Sequence, residues 1–123
     1  MEHEKIAGPV TLTAGIGGAD KSHVLTPRTG GRKYKGVMYM VKVLDYTGSA
    51  KLGFTLSHGP DGSVATAHTT TATVALSGTA PLLKVFEAGS AMLGEYLHPI
   101  VVVGGTAATD TVVVEVYETR KPF

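Results

Sequence analysis

The last third of the chain alternates apolar and polar positions. It closes on Val112-Val113-Val114-Glu115-Val116-Tyr117-Glu118-Thr119-Arg120-Lys121-Pro122-Phe123. A strand over 110–119 predicts an all-β fold that closes with its final strand. The same reading applies upstream. Val37, Tyr39, Val41 and Val43 fall on one face of a strand, and Met38, Met40, Lys42 and Leu44 on the other. Both faces are largely apolar, which predicts a central strand, or one covered on its second side. Leu52, Phe54 and Leu56 alternate with Lys51, Gly53 and Thr55, the pattern of a half-buried strand.

Turn signals separate these runs. Tyr46-Thr47-Gly48-Ser49, Gly59-Pro60-Asp61-Gly62 and Gly78-Thr79-Ala80-Pro81 each place Gly with turn-forming neighbours. Residues 64–76 are rich in Thr and Ala and read as one long strand or a pair, with Val74 and Leu76 pointing inward. Leu82, Leu83, Val85 and Phe86 make a short apolar segment, and 88–93 suits a single helical turn. Residues 95–103 read as a strand in which Pro99 predicts an edge position or a bulge. Residues 104–109 are a loop. Seven or eight short strands with frequent turns predict an antiparallel β-sandwich, jelly-roll-like.

Residues 1–35 break the pattern. They hold six basic and three acidic residues, many glycines and one short apolar stretch, Val10-Thr11-Leu12-Thr13-Ala14. This region reads as an extended N-terminal arm with one edge strand at most, leaving 36–123 as the sandwich domain. A chain of 123 residues holds one ordinary core.

Composition narrows the function classes. Net charge is +1, Trp is absent and aromatics are few, which argues against a nucleic-acid binder. There is no Cys, hence no disulfide and no thiolate metal site. The longest apolar runs are about five residues, too short for a membrane-spanning helix. The charged start, Met1-Glu2-His3-Glu4-Lys5, lacks the apolar core of a signal peptide.

Candidate chemistry is thin. His3, His23, His58, His68 and His98 show no ligand spacing, so no metal or cofactor is expected. Gly15-Ile16-Gly17-Gly18-Ala19-Asp20-Lys21-Ser22 lacks the spacing of a phosphate loop and a helix to follow it. Ser57-His58-Gly59-Pro60-Asp61-Gly62 holds Ser, His and Asp, but neighbours on a strand point to opposite faces, so a turn is expected there. The basic cluster Arg28, Arg32, Lys33, Lys35, with Lys21 nearby, suits docking onto an acidic protein surface or a solvated arm.

Three segments carry a resemblance. They are 52–62, a strand running into a Pro-Asp-Gly turn; 95–105, in which Tyr96-Leu97-His98-Pro99 leads a strand into a glycine loop; and the closing strand with Arg120-Lys121-Pro122-Phe123. In these the chain resembles the small head proteins of tailed bacteriophages that decorate or cement the capsid. The resemblance spans roughly 36–123 and implies a non-enzymatic sandwich on the outside of a virion capsid. It implies the major capsid protein as partner, a homo-oligomer with a trimer favoured, and assembly in the host cytoplasm. Lys21, Arg28, Arg32, Lys33, Lys35, Arg120, Lys121 and Phe123 are then the expected partner-binding residues. The second face of the 37–44 strand, or Tyr46 and Phe86, is expected to meet a neighbouring subunit. Two other classes compete. A carbohydrate- or receptor-binding sandwich is disfavoured by the absence of Trp, Asn and Gln, and a cupin-like enzyme by the histidine spacing.

Overall fold

Eight strands account for the alternating runs: β1 (Glu4–Thr13), β2 (Lys21–Val24), β3 (Tyr34–Tyr46), β4 (Lys51–Gly59), β5 (Thr66–Ala75), β6 (Leu82–Ala88), β7 (Tyr96–Gly104) and β8 (Thr111–Pro122). The structure is a computed structural model, and it describes residues 3–63, 65–88 and 93–123. The strands form two four-stranded sheets, in the orders β1-β8-β3-β6 and β2-β7-β4-β5. β1 pairs with β8, β2 with β7, β3 with β6 and β4 with β5, all antiparallel. The chain is thus one long hairpin, rolled so that β3 also meets β8 and β4 also meets β7. That nesting is the jelly-roll order, and it bears out the all-β sandwich expected from the pattern.

The inward registers fill the core. β3 supplies Val37, Tyr39, Val41 and Val43, β8 supplies Val112, Val114 and Val116, and all are essentially buried. From the other sheet come Leu52, Phe54 and Leu56 of β4 and Leu97, Val101 and Val103 of β7. β-branched side chains dominate because they are stiff and pack well on a pleated surface.

Four expectations change. Residues 1–35 hold two edge strands, β1 and β2, one on each sheet, where the pattern suggested one at most. Their pattern is hidden by the shortness of β2, four residues, and by Gly8-Pro9 and the register shifts of β1 between Lys5 and Val10. Pro99 lies in β7, an interior strand. It is tolerated because the ladder beside it is locally open. The Leu25 N–H donates to the Pro99 carbonyl at 2.9 Å, and Arg28 and Leu97 exchange both backbone bonds at 2.8 and 2.7 Å. A residue's nitrogen and oxygen face the same antiparallel neighbour. Pro99 therefore turns its donorless nitrogen toward the gap between the end of β2 and the Arg28–Leu97 bridge.

Val74, expected inside, is 62% exposed, whereas Leu76 is buried. β5 is an edge strand with two register shifts against β4, and such bulges twist an edge away from the opposing sheet. Phe86 and Tyr46 pack against this chain's own core. Phe86 stacks on Phe54 with ring centroids 5.1 Å apart, and the Tyr46 hydroxyl donates to the Gly78 carbonyl. The helical turn expected over 88–93 falls mainly on 89–92, and the Thr/Ala-rich stretch begins at 64. Positions 64 and 89–92 lie outside the described residues, and the rest of the Thr/Ala-rich stretch forms the single strand β5.

Candidate interaction surface

One end of the sandwich collects nearly all the basic residues of interest. β8 runs outward there through Glu118 and Arg120, on the same inward register as Val112, Val114 and Val116. The register that carries valines through the core thus carries a carboxylate and a guanidinium at its end. Glu118 is 2% exposed. Its carboxylate accepts the Tyr39 hydroxyl at 2.8 Å and Arg120 Nε at 2.7 Å. Arg28 Nε reaches it at 3.6 Å from the loop after β2. Arg28 also pairs with Glu4 at the start of β1. Arg120 lies over the Tyr34 ring, 5.3 Å from its centroid. Three stretches of chain therefore meet on one buried carboxylate, and β1 joins them through Arg28.

The electrostatics follow from that burial. Burial, then the Glu118 charge and its hydrogen bond, hold the Tyr39 phenol far above its ordinary range, so Tyr39 stays a donor. For Arg120, burial opposes the charge, but Glu118 outweighs it and the guanidinium is held above its ordinary value. The cluster is a structural plug of paired charges between the sheets.

Beside it a tight turn presents the lysines. Gly30 has φ of 81°, in the left-handed region, and its N–H donates to Glu95 Oε1 at 2.9 Å. A Cβ on Gly31 would stand 2.4 Å from the Gly94 carbonyl, so only glycine lets this turn press on the strand leading into β7. Arg32 Nε pairs with Glu95 at 2.8 Å. Lys33 and Lys35 are exposed, with no ion-pair partner among the described residues.

The expected partner-binding residues thus divide. Arg28, Arg32, Arg120 and Lys121 spend their charge within the chain, the last on Glu87 at 3.1 Å. Lys33 and Lys35 remain unpaired beside the end of β8, where Phe123 is 81% exposed. Lys21 does not join them. It pairs in register with Val103, whereas Arg28 bridges Leu97, which puts them about 20 Å apart along β7. Proximity in sequence misled there, because β2 and the extended residues after it run along β7 between the two. Glu118 was not singled out from sequence. Its signal is phase, an acid in step with three inward valines.

The remaining motifs serve the fold. His58 Nδ1 accepts the Gly94 N–H at 2.9 Å, and the Asp61 carboxylate accepts the Ser63 N–H at 2.9 Å within its turn. His58 and His68 meet edge to face, centroids 4.6 Å apart. Burial, then the neighbouring His58, lowers the His68 pKa. His23 bonds the Thr13 carbonyl at 2.7 Å. Among the described residues no three potential ligands converge on a metal position.

At the opposite end Asp110 organises the loop before β8. It accepts the Thr106 N–H at 2.7 Å, the Thr47 hydroxyl at 2.8 Å and the Ala107 N–H at 3.0 Å. Those bonds, Thr106 foremost, hold its carboxyl below the ordinary value. A lowered folded pKa contributes stability above the unfolded value, near 3.8, and that contribution is lost as pH falls through the folded value. The melting-temperature gap between wild type and Asp110→Asn is therefore expected to be full at pH 5–7 and to shrink with acidification below about pH 4. A pH-independent gap in calorimetry would refute this. No protein-family model, curated protein or solved structure matches the chain.

Proposed function

We propose that the chain is a non-enzymatic virion structural protein that binds the outer surface of a phage capsid and stabilises it by bridging subunits. The major capsid protein is its partner, and it works as a homo-oligomer added to the shell after synthesis in the host cytoplasm. The observation that carries this reading is the end of the sandwich where Lys33 and Lys35 stand unpaired beside an exposed Phe123. An aromatic anchor flanked by free cations fits an acidic surface with an apolar recess. The Glu118 cluster beneath keeps that end rigid, which limits the entropy lost on docking.

Binding that favours the assembled shell raises its melting temperature by mass action. Shells carrying the protein are expected to melt higher than bare shells and to co-sediment with it. Phe123→Ala is expected to weaken co-sedimentation by about tenfold or more, the scale of a buried aromatic anchor. Lys33→Glu with Lys35→Glu is expected to weaken it by roughly tenfold, and more at low salt than at high salt. Failure of the wild-type protein to sediment with shells or shift their melting would remove the reading.

A further inference from the structure

The outer face of the β8-β3-β6 sheet carries an apolar stripe that the basic end does not use. Because Val37, Tyr39, Val41 and Val43 point inward, Met38, Met40, Lys42 and Leu44 point out. Registers place Met40 between Val85 of β6 and Tyr117 of β8, Lys42 between Leu83 and Glu115, and Met38 between Glu87 and Thr119. Leu83 is 57% exposed and Val85 51%. We propose that this face is an isologous interface joining two copies of the chain about a two-fold axis that passes between Met40 and Val85.

The charges choose the occupant. Lys42 lies on one side of the Met40–Val85 row and Glu87 on the other, about 13 Å apart along the strands. Lys42 has no ion-pair partner among the described residues, and Glu87 is held by Lys121 at 3.1 Å. An axis lying in the face, passing midway between Met40 and Val85 and tilted about 20° from the across-strand direction, exchanges these two positions. Each Lys42 then meets the other copy's Glu87, and the apolar row packs against itself. A partner of uniform charge would meet one of these residues with its own sign.

The sheet edge is the competing surface, and it is blunted. Lys84 of β6 pairs with inward-facing Val41, so an edge strand carries a charge on its inner register. Such a charge opposes addition of another strand. Three strands about 4.8 Å apart and six residues at about 3.3 Å give a footprint of roughly 15 by 20 Å. Over two copies that is about 600 Å² before side-chain relief, the size of a weak, concentration-dependent interface. The surface is separate from Lys33, Lys35 and Phe123, so the inference is independent of the capsid reading.

Sedimentation velocity on the purified full chain between about 1 and 100 µM tests it, with circular dichroism to check folding. The wild type is expected to be a dimer at the upper concentrations. Val85→Glu is expected to raise the dissociation constant at least about tenfold. Lys42→Glu, which leaves the apolar row intact, is expected to act in the same direction. The triple exchange K42E/E87K/K121E restores both the cross-copy and the internal pairings, and is expected to recover dimerisation. A wild-type monomer at 100 µM, or any oligomer unaffected by Val85→Glu and Lys42→Glu, would overturn the proposal.

Discussion

Glu118→Ala is expected to lower the free energy of unfolding by about 3–5 kcal/mol, the scale on which one partner of a buried charge cluster is removed. Glu118 is 2% exposed, and Tyr39, Arg120 and Arg28 all converge on it. Without the carboxylate, two guanidinium groups lose their counter-charge, and the Tyr39 hydroxyl loses its acceptor inside the core. Arg28 keeps Glu4, but that contact is on the solvent side. Arg120 keeps only the face of Tyr34, worth about 0.5–2 kcal/mol. Total stability of such a domain is about 5–15 kcal/mol, so the loss is a large share of it.

The same logic separates a charge effect from a volume effect. Most of the penalty comes from unpaired charge, not from a lost attraction that was itself large. A combined Glu118→Leu, Arg28→Met and Arg120→Met variant is therefore expected to be more stable than Glu118→Ala alone. Urea denaturation of wild type, single and triple variants measures this directly. A single-variant loss under about 1 kcal/mol, or a triple variant less stable than the single, would contradict the account. Because the cluster ties β8 and β3 to the loop carrying Arg28, Glu118→Ala is also expected to loosen the end that presents Lys33 and Lys35.

The sandwich was legible because β4 and β8 alternate and β3 is apolar on both faces, and the inward set of these three strands fell where the pattern put it. What escaped has specific causes. β2 was hidden because its four residues hold one apolar position, and β1 because Gly8-Pro9 and two register shifts break its alternation. Pro99 pointed to an edge or a bulge since sequence gives strand order poorly. The structure places it inside the sheet but beside a local opening. The basic residues were legible as a group, but their pairing was not. Arg32 meets Glu95, and Lys121 meets Glu87, across separations of 63 and 34 residues set by topology. Of the expected partner-binding set at that end, Lys33 and Lys35 have no ion-pair partner among the described residues, and Phe123 is exposed.

Phe54→Ala carries the second large effect, an expected loss of about 3–5 kcal/mol and a fall in melting temperature of about 10–20 °C. Phe54 is 3% exposed and lies where the two sheets meet. Its ring sits 5.0 Å from Tyr39 of the facing sheet and 5.1 Å from Phe86, so it bridges β4 to β3 and β6. Truncation removes both ring contacts, worth about 0.5–1.5 kcal/mol each beyond area burial, and leaves a cavity that rigid strands cannot collapse. Phe54→Leu, which keeps most of the volume, is expected to lose much less than Phe54→Ala. Val74→Ala supplies the contrast, since Val74 is 62% exposed on the twisted edge and its loss is expected within about 0.5 kcal/mol. Thermal melts of the three variants decide the matter. Equal losses at positions 54 and 74 would mean that β5 is buried against a surface this chain does not itself supply, and the edge assignment of β5 would fail with it.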